Sequence, residues 1–256
     1  MNRLRLRQIC LVAEKLAPIE QALIEVLGVA VCYRDPAVDH FGLENALFPV
    51  GNQLLEVVAP VREHTAGGRY LERRGGDGGY MVITQCDHHP PYRQRVDDLG
   101  IRIVLDAPGD EIIHMQLHPA DTGGTFFEID QQLGHHADAD DGPWHPAGPN
   151  WQARRKTDRV TGILAAEIQC DDPLAVAHRW AEIAGLDLEI SNDHAAMKLM
   201  NASVRFVPCT DGRPEGLGGI DLAVADKAAI LHFAAERGLP ISEDQITICG
   251  TRMNLI

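Results

Sequence analysis

Four times along its 256 residues this chain repeats one pattern: a β-rich apolar run, a turn, and an amphipathic helix that ends at glycine. The copies are "RQICLVAEKLAPIEQALIEVLGV", "YMVITQCDHHPPYRQRVDDLGI", "ILAAEIQCDDPLAVAHRWAEIAGL" and "IDLAVADKAAILHFAAERGL". Self-similarity of this kind constrains the fold more than any short motif, because a unit this small exposes an apolar face that only a neighbouring unit covers. Apolar residues recur at three- and four-residue steps through Ile19, Leu23 and Val26; Tyr92, Val96 and Leu99; Val176, Trp180 and Ile183; and Ile230, Phe233 and Ala234. That spacing puts one stripe of each helix in a core. Pro18, Pro90 with Pro91, and Asp172 with Pro173 punctuate the helix starts, and Gly28, Gly100, Gly185 and Gly238 stand where a left-handed residue closes a helix.

Three further strand-like runs follow the first two helices: "AVCYRD", "LENALFPV" and "NQLLEVVA" in the first copy, "IRIVLDA", "EIIHMQL" and "TFFEID" in the second. The third copy has "DLEIS", "AAMKLM" and "SVRFVP", and the fourth ends early in "QITICGTRMNLI", as a trimmed unit. The expected fold is α+β: about four tandem βαβββ modules forming curved mixed sheets with helices on the convex faces. Residues 1–133 hold two paired modules and residues 159–256 a degenerate, structural pair. The stretch 134–158, rich in Gly, Pro, Asp and His and without periodicity, reads as a solvated linker tacked down by Trp144 and Trp151. The segment "GGRYLERRGG" reads as a Gly-rich loop between the first two modules, with Arg69, Arg73 and Arg74 available to a phosphate.

Two strands that should be uniformly apolar each carry one acid: Glu56 in "GNQLLEVVAP" and Glu128 in "HPADTGGTFFEID". One such Glu belongs on a solvated face. Two, on the same strand of successive copies and each after two apolar residues, point to a shared pocket. Paired βαβββ units closed by "GNxxLExxxP" and "HPxDxGGxxxEID" resemble the vicinal oxygen chelate superfamily, which includes glyoxalase I, methylmalonyl-CoA epimerase, extradiol dioxygenases and metal-free resistance proteins. The resemblance spans nearly the whole chain as a repeat, while its motifs lie in the first half, which is most similar to methylmalonyl-CoA epimerase or glyoxalase I.

The resemblance implies a divalent metal ion (Mn, Co, Ni, Zn or Mg) on a concave sheet face, with Gln8, Glu56 and Glu128 as ligands and the two glutamates as the catalytic pair. The fourth ligand position, a histidine in the family, falls on Tyr80 or Met81. Strand alternation groups His114, Gln116 and His118 against Ile113, Met115 and Leu117. Comparison with the family puts the apolar set in the cup, with His114 as the candidate substitute ligand, while His118 orders the following turn. A dioxygenase needs two histidines and a carboxylate on iron, and here those histidine positions read Gln8 and Tyr80 or Met81.

The implied activity is a metal-assisted isomerase, epimerase or lyase moving a proton next to the carbonyl of a small acid or acyl-CoA thioester. The alternative is a protein that sequesters a small molecule in the same cup. In the second half the counterpart of Glu56 reads Arg205 or Phe206, and Asn254 stands where an acid is needed, so that half is expected to support the first, as a second subunit does in homodimeric relatives. A homodimer of this chain stays open.

Composition narrows the partners. With 37 acidic against 23 basic residues and a formal charge of -14, the average field repels nucleic acid and anionic membranes. Six cysteines without a CxxC pair fit a reducing, cytoplasmic setting, and the start of the chain lacks the apolar run of a signal peptide.

Overall fold

The computed structural model describes residues 3–191 and 195–256. It contains two mixed sheets, and each module contributes its strands to one of them. In the first half, β1 (Leu4–Val12), β2 (Leu43–Val50), β3 (Gln53–Pro60), β4 (Gly78–Cys86), β5 (Ile103–Pro108), β6 (Ile112–Leu117) and β7 (Phe126–Gln132) form a seven-stranded sheet of order β2-β3-β1-β4-β7-β6-β5. β1 and β4 run antiparallel at its centre, and each takes the last strand of its own module, β3 or β7, as a parallel neighbour. The order mirrors about the β1/β4 pair except that β5 has no counterpart outside β2.

The second half repeats the plan. β8 (Val160–Cys170), β9 (Leu188–Ile190), β10 (Ala195–Lys198), β11 (Ser203–Pro208), β12 (Gly216–Val224), β13 (Ile241–Ser242), β14 (Gln245–Ile248) and β15 (Thr251–Leu255) give the order β13-β14-β15-β12-β8-β11-β10-β9. The fourth module is thus complete in topology, although β13 has two residues.

The helices α1 (Leu16–Ala22), α3 (Pro90–Asp98), α4 (Pro173–Ala184) and α5 (Lys227–Glu236) bury Leu16, Val96, Trp180 and Ile230 in one core with the inner faces of both sheets. α1 continues as a π-helical turn, Leu23–Leu27. Gly28, Gly100, Gly185 and Gly238 all have φ between 65° and 71°, the left-handed closure that the helix stops call for. Across the halves, Phe127 stacks on Trp180 with centroids 4.1 Å apart. Two side-chain amides supply strand-like pairing: Gln53 bonds Ile163 through both backbone groups, and Asn201 bonds Leu6 likewise. Among the described residues no helix is long and apolar enough to cross a membrane.

Several local expectations change. "AVCYRD" makes one bridge, Tyr33 to Leu47, rather than a strand. "GGRYLERRGG" forms α2 (Ala66–Arg74), capped by the Thr65 side chain on Gly68 N–H; Arg69 and Arg73 are exposed but Arg74 is buried. Helix wins there because its two glycines sit in the first turn, while Tyr70 and Leu71 gain an apolar face to bury.

The segment after β7 leaves most of its residues exposed and is anchored through its tryptophans. Trp144 and Trp151 are each 1% exposed. Arg7 lies 5.4 and 5.2 Å from their ring centroids and donates to the carbonyls of Asp140 and Gly142. A desolvated guanidinium between two indoles is a strong attachment, and it straps this stretch across the first sheet.

Candidate functional site

One face of the first sheet looks into the shared core through Ile9, Leu55, Val82, Phe127 and Met115. The other is the concave face and carries the polar groups. A β-bulge at Arg7 reverses the alternation of β1, so that Gln8, Cys10 and Val12 turn to the concave side. A second bulge at Tyr80 puts both Tyr80 and Met81 there.

Glu56 lies on β3 between β1 and β2, where a carboxylate survives because polar side chains diagonal to it on both neighbours reach across. Its Oε2 accepts from Gln8 Nε2 at 2.8 Å and its Oε1 from Asn45 Nδ2 at 2.6 Å. Burial pushes this carboxyl above the usual range despite those bonds and one from Cys10. Gln8 is used at both ends, since its Oε1 accepts from Trp144 Nε1 at 2.8 Å. The strapping segment therefore closes the Gln8–Glu56 side of the face.

Glu128 lies on β7, four strands across the sheet order if β3 is counted first. Directly opposite on β6 is Gln116, whose Nε2 donates to Glu128 Oε2 at 3.0 Å. His114 Nδ1 lies 3.2 Å from Glu128 Oε1 and 2.9 Å from Asp130 Oδ2. Between the pairs Ile113–Gln131 and Gln116–Glu128 the β6–β7 ladder is interrupted, and there Asp130 Oδ1 accepts the Met115 N–H at 3.2 Å. A completely buried aspartate thus stands in for a missing backbone acceptor.

The parity expected for β6 is reversed: His114 and Gln116 face the cup, while Met115 and Leu117 enter the core. His118 orders the turn, its Nδ1 accepting Ala120 N–H at 3.1 Å. Met81, which with Tyr80 was the alternative for the expected fourth ligand position, meets the same group through Gln116 Nε2, 3.4 Å from its sulfur.

The ligand atoms of His114, Glu128 and Asp130 all lie within 4.8 Å of one another, as a group that can hold a metal ion. Burial pulls the His114 imidazole down, but its bonds to Asp130 and Glu128 outweigh this and raise it to about 10. Burial pushes both carboxyls up; for Asp130 the charge of Glu128 adds to the effect, whereas His114 and Gln116 bring Glu128 below its usual range. These directions favour a protonated imidazole beside one ionised and one protonated carboxyl, a group with no net charge. A divalent ion with neutral His114 and two carboxylates gives the same balance. The spacings of 2.9 and 3.2 Å also suit neighbouring ligands around an ion with bonds of ~2.1 Å, so the donor set fits.

Of the residues expected from sequence, Gln8 and Glu56 come together in one network, and Glu128 joins a second with His114. Asp130 was not among the expected site residues. Its signal was the two-residue step in "FFEID", which puts Glu128 and Asp130 on one face. Access is from the His114 edge, where that side chain is 23% exposed. A hollow of about 240 Å³ beside the strap is lined by Arg3, Gln85, Cys86, Asp87, Gln132, Ala137 and Asp138, and by none of the candidate site residues.

No protein-family model matches the chain, and neither does any curated protein. Among solved structures, a hypothetical protein from Staphylococcus aureus is similar over 99% of both chains, with a TM-score of 0.68 and 12% identity, a likeness of fold. A methylmalonyl-CoA epimerase variant from Streptomyces coelicolor aligns with 51% of this chain and 98% of its own at 20% identity and a TM-score of 0.45. The Mycobacterium tuberculosis epimerase aligns with 52% of this chain and 91% of its own at 21% identity, also with a TM-score of 0.45.

Proposed function

We propose that the first half moves a proton at a carbon next to a carbonyl, in a small acid or an acyl thioester, with a divalent metal ion held by His114, Glu128 and Asp130. The observation that carries this reading is the convergence of one half-buried imidazole and two buried carboxylates on the concave face of paired βαβββ modules. The resemblance of "GNQLLEVVAP" and "HPADTGGTFFEID" to vicinal oxygen chelate enzymes supports it. A bound ion would supply Lewis-acid stabilisation of the enolate oxygen.

The chain's own residues divide the proton work. Glu128, brought below the usual carboxylate range, is the base. Glu56, raised above the usual carboxylate range by burial and steadied by Gln8 and Asn45, is the acid on the other side of the face. Two glutamates whose surroundings push them in opposite directions are suited to opposite roles. Gln116 orients Glu128 through Oε2. Arg69 and Arg73, exposed on α2, remain available to the phosphates of a thioester carrier; Arg74 does not.

The test has two stages. Metal content is measured on protein purified without added ions, then solvent deuterium uptake into 2-substituted acyl thioesters and small oxo acids is followed by mass spectrometry. Stoichiometric metal and metal-dependent uptake are expected, with Glu128→Gln slowing uptake by about 100-fold or more. Uptake that is independent of metal and of Glu128 would overturn the proposal. One observation favours a sequestering protein instead: Trp144 seals Gln8. That reading expects tight binding with neither metal nor exchange.

A further inference from the structure

The chain has six cysteines and six methionines, and the fold treats the two kinds of sulfur differently. The thiols of Cys10, Cys32, Cys86, Cys170, Cys209 and Cys249 are all held above the ordinary thiol range, with burial as the first cause. A thiol reacts with hydroperoxides as its thiolate, so the cysteines are kept from that chemistry. A thioether has no proton to lose, and access alone limits its oxidation. Among the described methionines, Met115, Met197 and Met253 are fully buried, Met200 is 52% exposed in the turn before β11, and Met81 is half-buried.

At Met81 access and consequence coincide. On β4 it faces the concave side between its register partners, Cys10 on β1 and Phe126 on β7, both of them buried. Like His114 and Gln116 it is half-buried, and these three side chains form the edge from which the site is reached. Gln116 Nε2 has two hydrogens to give; it donates to Met81 Sδ at 3.4 Å and to Glu128 Oε2 at 3.0 Å. Because a thioether is a weak acceptor, the carboxylate governs where the amide sits.

We propose that Met81 is a site of oxidation by hydroperoxides, and that its sulfoxide draws Gln116 away from Glu128. In the step, a sulfur lone pair attacks the outer peroxide oxygen, so that the S–O bond forms as the O–O bond breaks. The departing hydroxide or alkoxide takes the proton of the transferred hydroxyl, leaving the sulfoxide and water or an alcohol; sulfur is oxidised by the electron pair that reduces the peroxide. The product is a polar side chain in place of an apolar one. Its oxygen is a far better acceptor than sulfur, and a separation of 3.4 Å leaves no place for it between Sδ and Nε2. The amide therefore moves as it turns an N–H to the sulfoxide, and Glu128 Oε2 loses its orienting donor. The effect on rate rests on Glu128 being the base; the oxidation and the movement of Gln116 do not.

The full chain, freed of metal by a chelator, is treated with hydrogen peroxide, and the extent of oxidation at each methionine is read by peptide mass spectrometry. Met200 and Met81 should oxidise while Met115, Met197 and Met253 stay reduced. The side-chain NH₂ signals of Gln116, assigned by their absence in Gln116→Ala, should shift in ¹⁵N NMR in step with Met81 oxidation. With metal restored, deuterium uptake should fall by about tenfold. In Met81→Leu, peroxide should alter neither the amide signals nor whatever uptake that variant has. Met81 staying reduced while Met200 is fully oxidised would overturn the proposal, and so would complete Met81 oxidation with the Gln116 signals unmoved. Both deciding measurements use the unmodified chain and stand even if Met81→Leu does not fold. Protein without uptake before treatment would sink the proton-transfer reading alone, with the amide signals still deciding the fate of Met81.

Discussion

The two sheets have the same strand plan but neutralise the acids of their concave faces in opposite ways. In the second, Arg205 pairs with Asp221 and with Glu167 at 3.0 Å, and Arg252 pairs with Glu167 and Asp211, both at 2.9 Å. Asn254 completes the network by donating to Asp221 at 2.7 Å. These cations are covalently part of the chain and do not titrate near neutrality. In the first sheet, among the described residues, Glu56, Glu128 and Asp130 bond amides, a thiol and one histidine. Protons or a metal ion must supply the balance, and both exchange with solvent. Equivalent positions therefore give a fixed scaffold in one half and an exchangeable charge in the other.

Glycine makes the difference affordable in space. At Gly218 a Cβ would stand 2.3 Å from Gln169 Oε1 and 2.5 Å from Arg252 Nη2, so the bulky network lies over a strand kept bare beneath it. The corresponding strand of the first half, β4, presents Met81 and Ile83, which leave no place for a second guanidinium.

The largest test of this contrast is Arg205→Met. Leaving Asp221 and Glu167 without that cation should cost about 3 kcal/mol in urea unfolding, with metal content and deuterium uptake unchanged. Loss of uptake in folded protein would show that the second cup takes part in the chemistry.

The metal-free protein offers a smaller effect with a definite sign. His114 is raised to about 10, so its contribution is fully present below the ordinary histidine value and is lost as pH rises toward 10. Asp130, also raised, acts in the same direction, because deprotonation places a second charge beside Glu128. Stability should fall by something on the order of 2 kcal/mol between pH 6.5 and 10, and a saturating divalent ion should abolish the fall. Hydrogen exchange should locate the loss in β6 and β7 and leave β11 and β12 protected; uniform loss in both halves would erase the contrast.

The smallest change is expected for Glu56→Gln, since burial already disfavours the charge of that carboxyl and amide for acid preserves its shape. Stability should move by less than about 1 kcal/mol and metal content should not move. Deuterium uptake should survive while inversion at the carbon is lost. Loss of the metal would instead return the ion to a set of Gln8, Glu56 and Glu128.

Much of this protein follows from local pattern. The repeat, the helix stripes through Val96 and Trp180, and the four glycine stops depend on periods of 3.6 and 2 and on a backbone dihedral, all written in short windows of sequence. The presence of Glu56 and Glu128 in apolar strands was legible for the same reason. Which face a strand residue occupies was not, because one bulged residue, Arg7 on β1, reverses every side chain beyond it. His114 could be assigned to the cup, and Arg205 rather than Phe206 to its counterpart, only once the strands were paired. The strap of Trp144 on Gln8 joins positions 136 residues apart, and Arg74 reaches the Pro214 and Glu215 carbonyls across the two halves. Sequence periodicity fixes what each element buries; only packing in three dimensions decides which buried charges meet, because that depends on register and on distant chain segments that no local window contains.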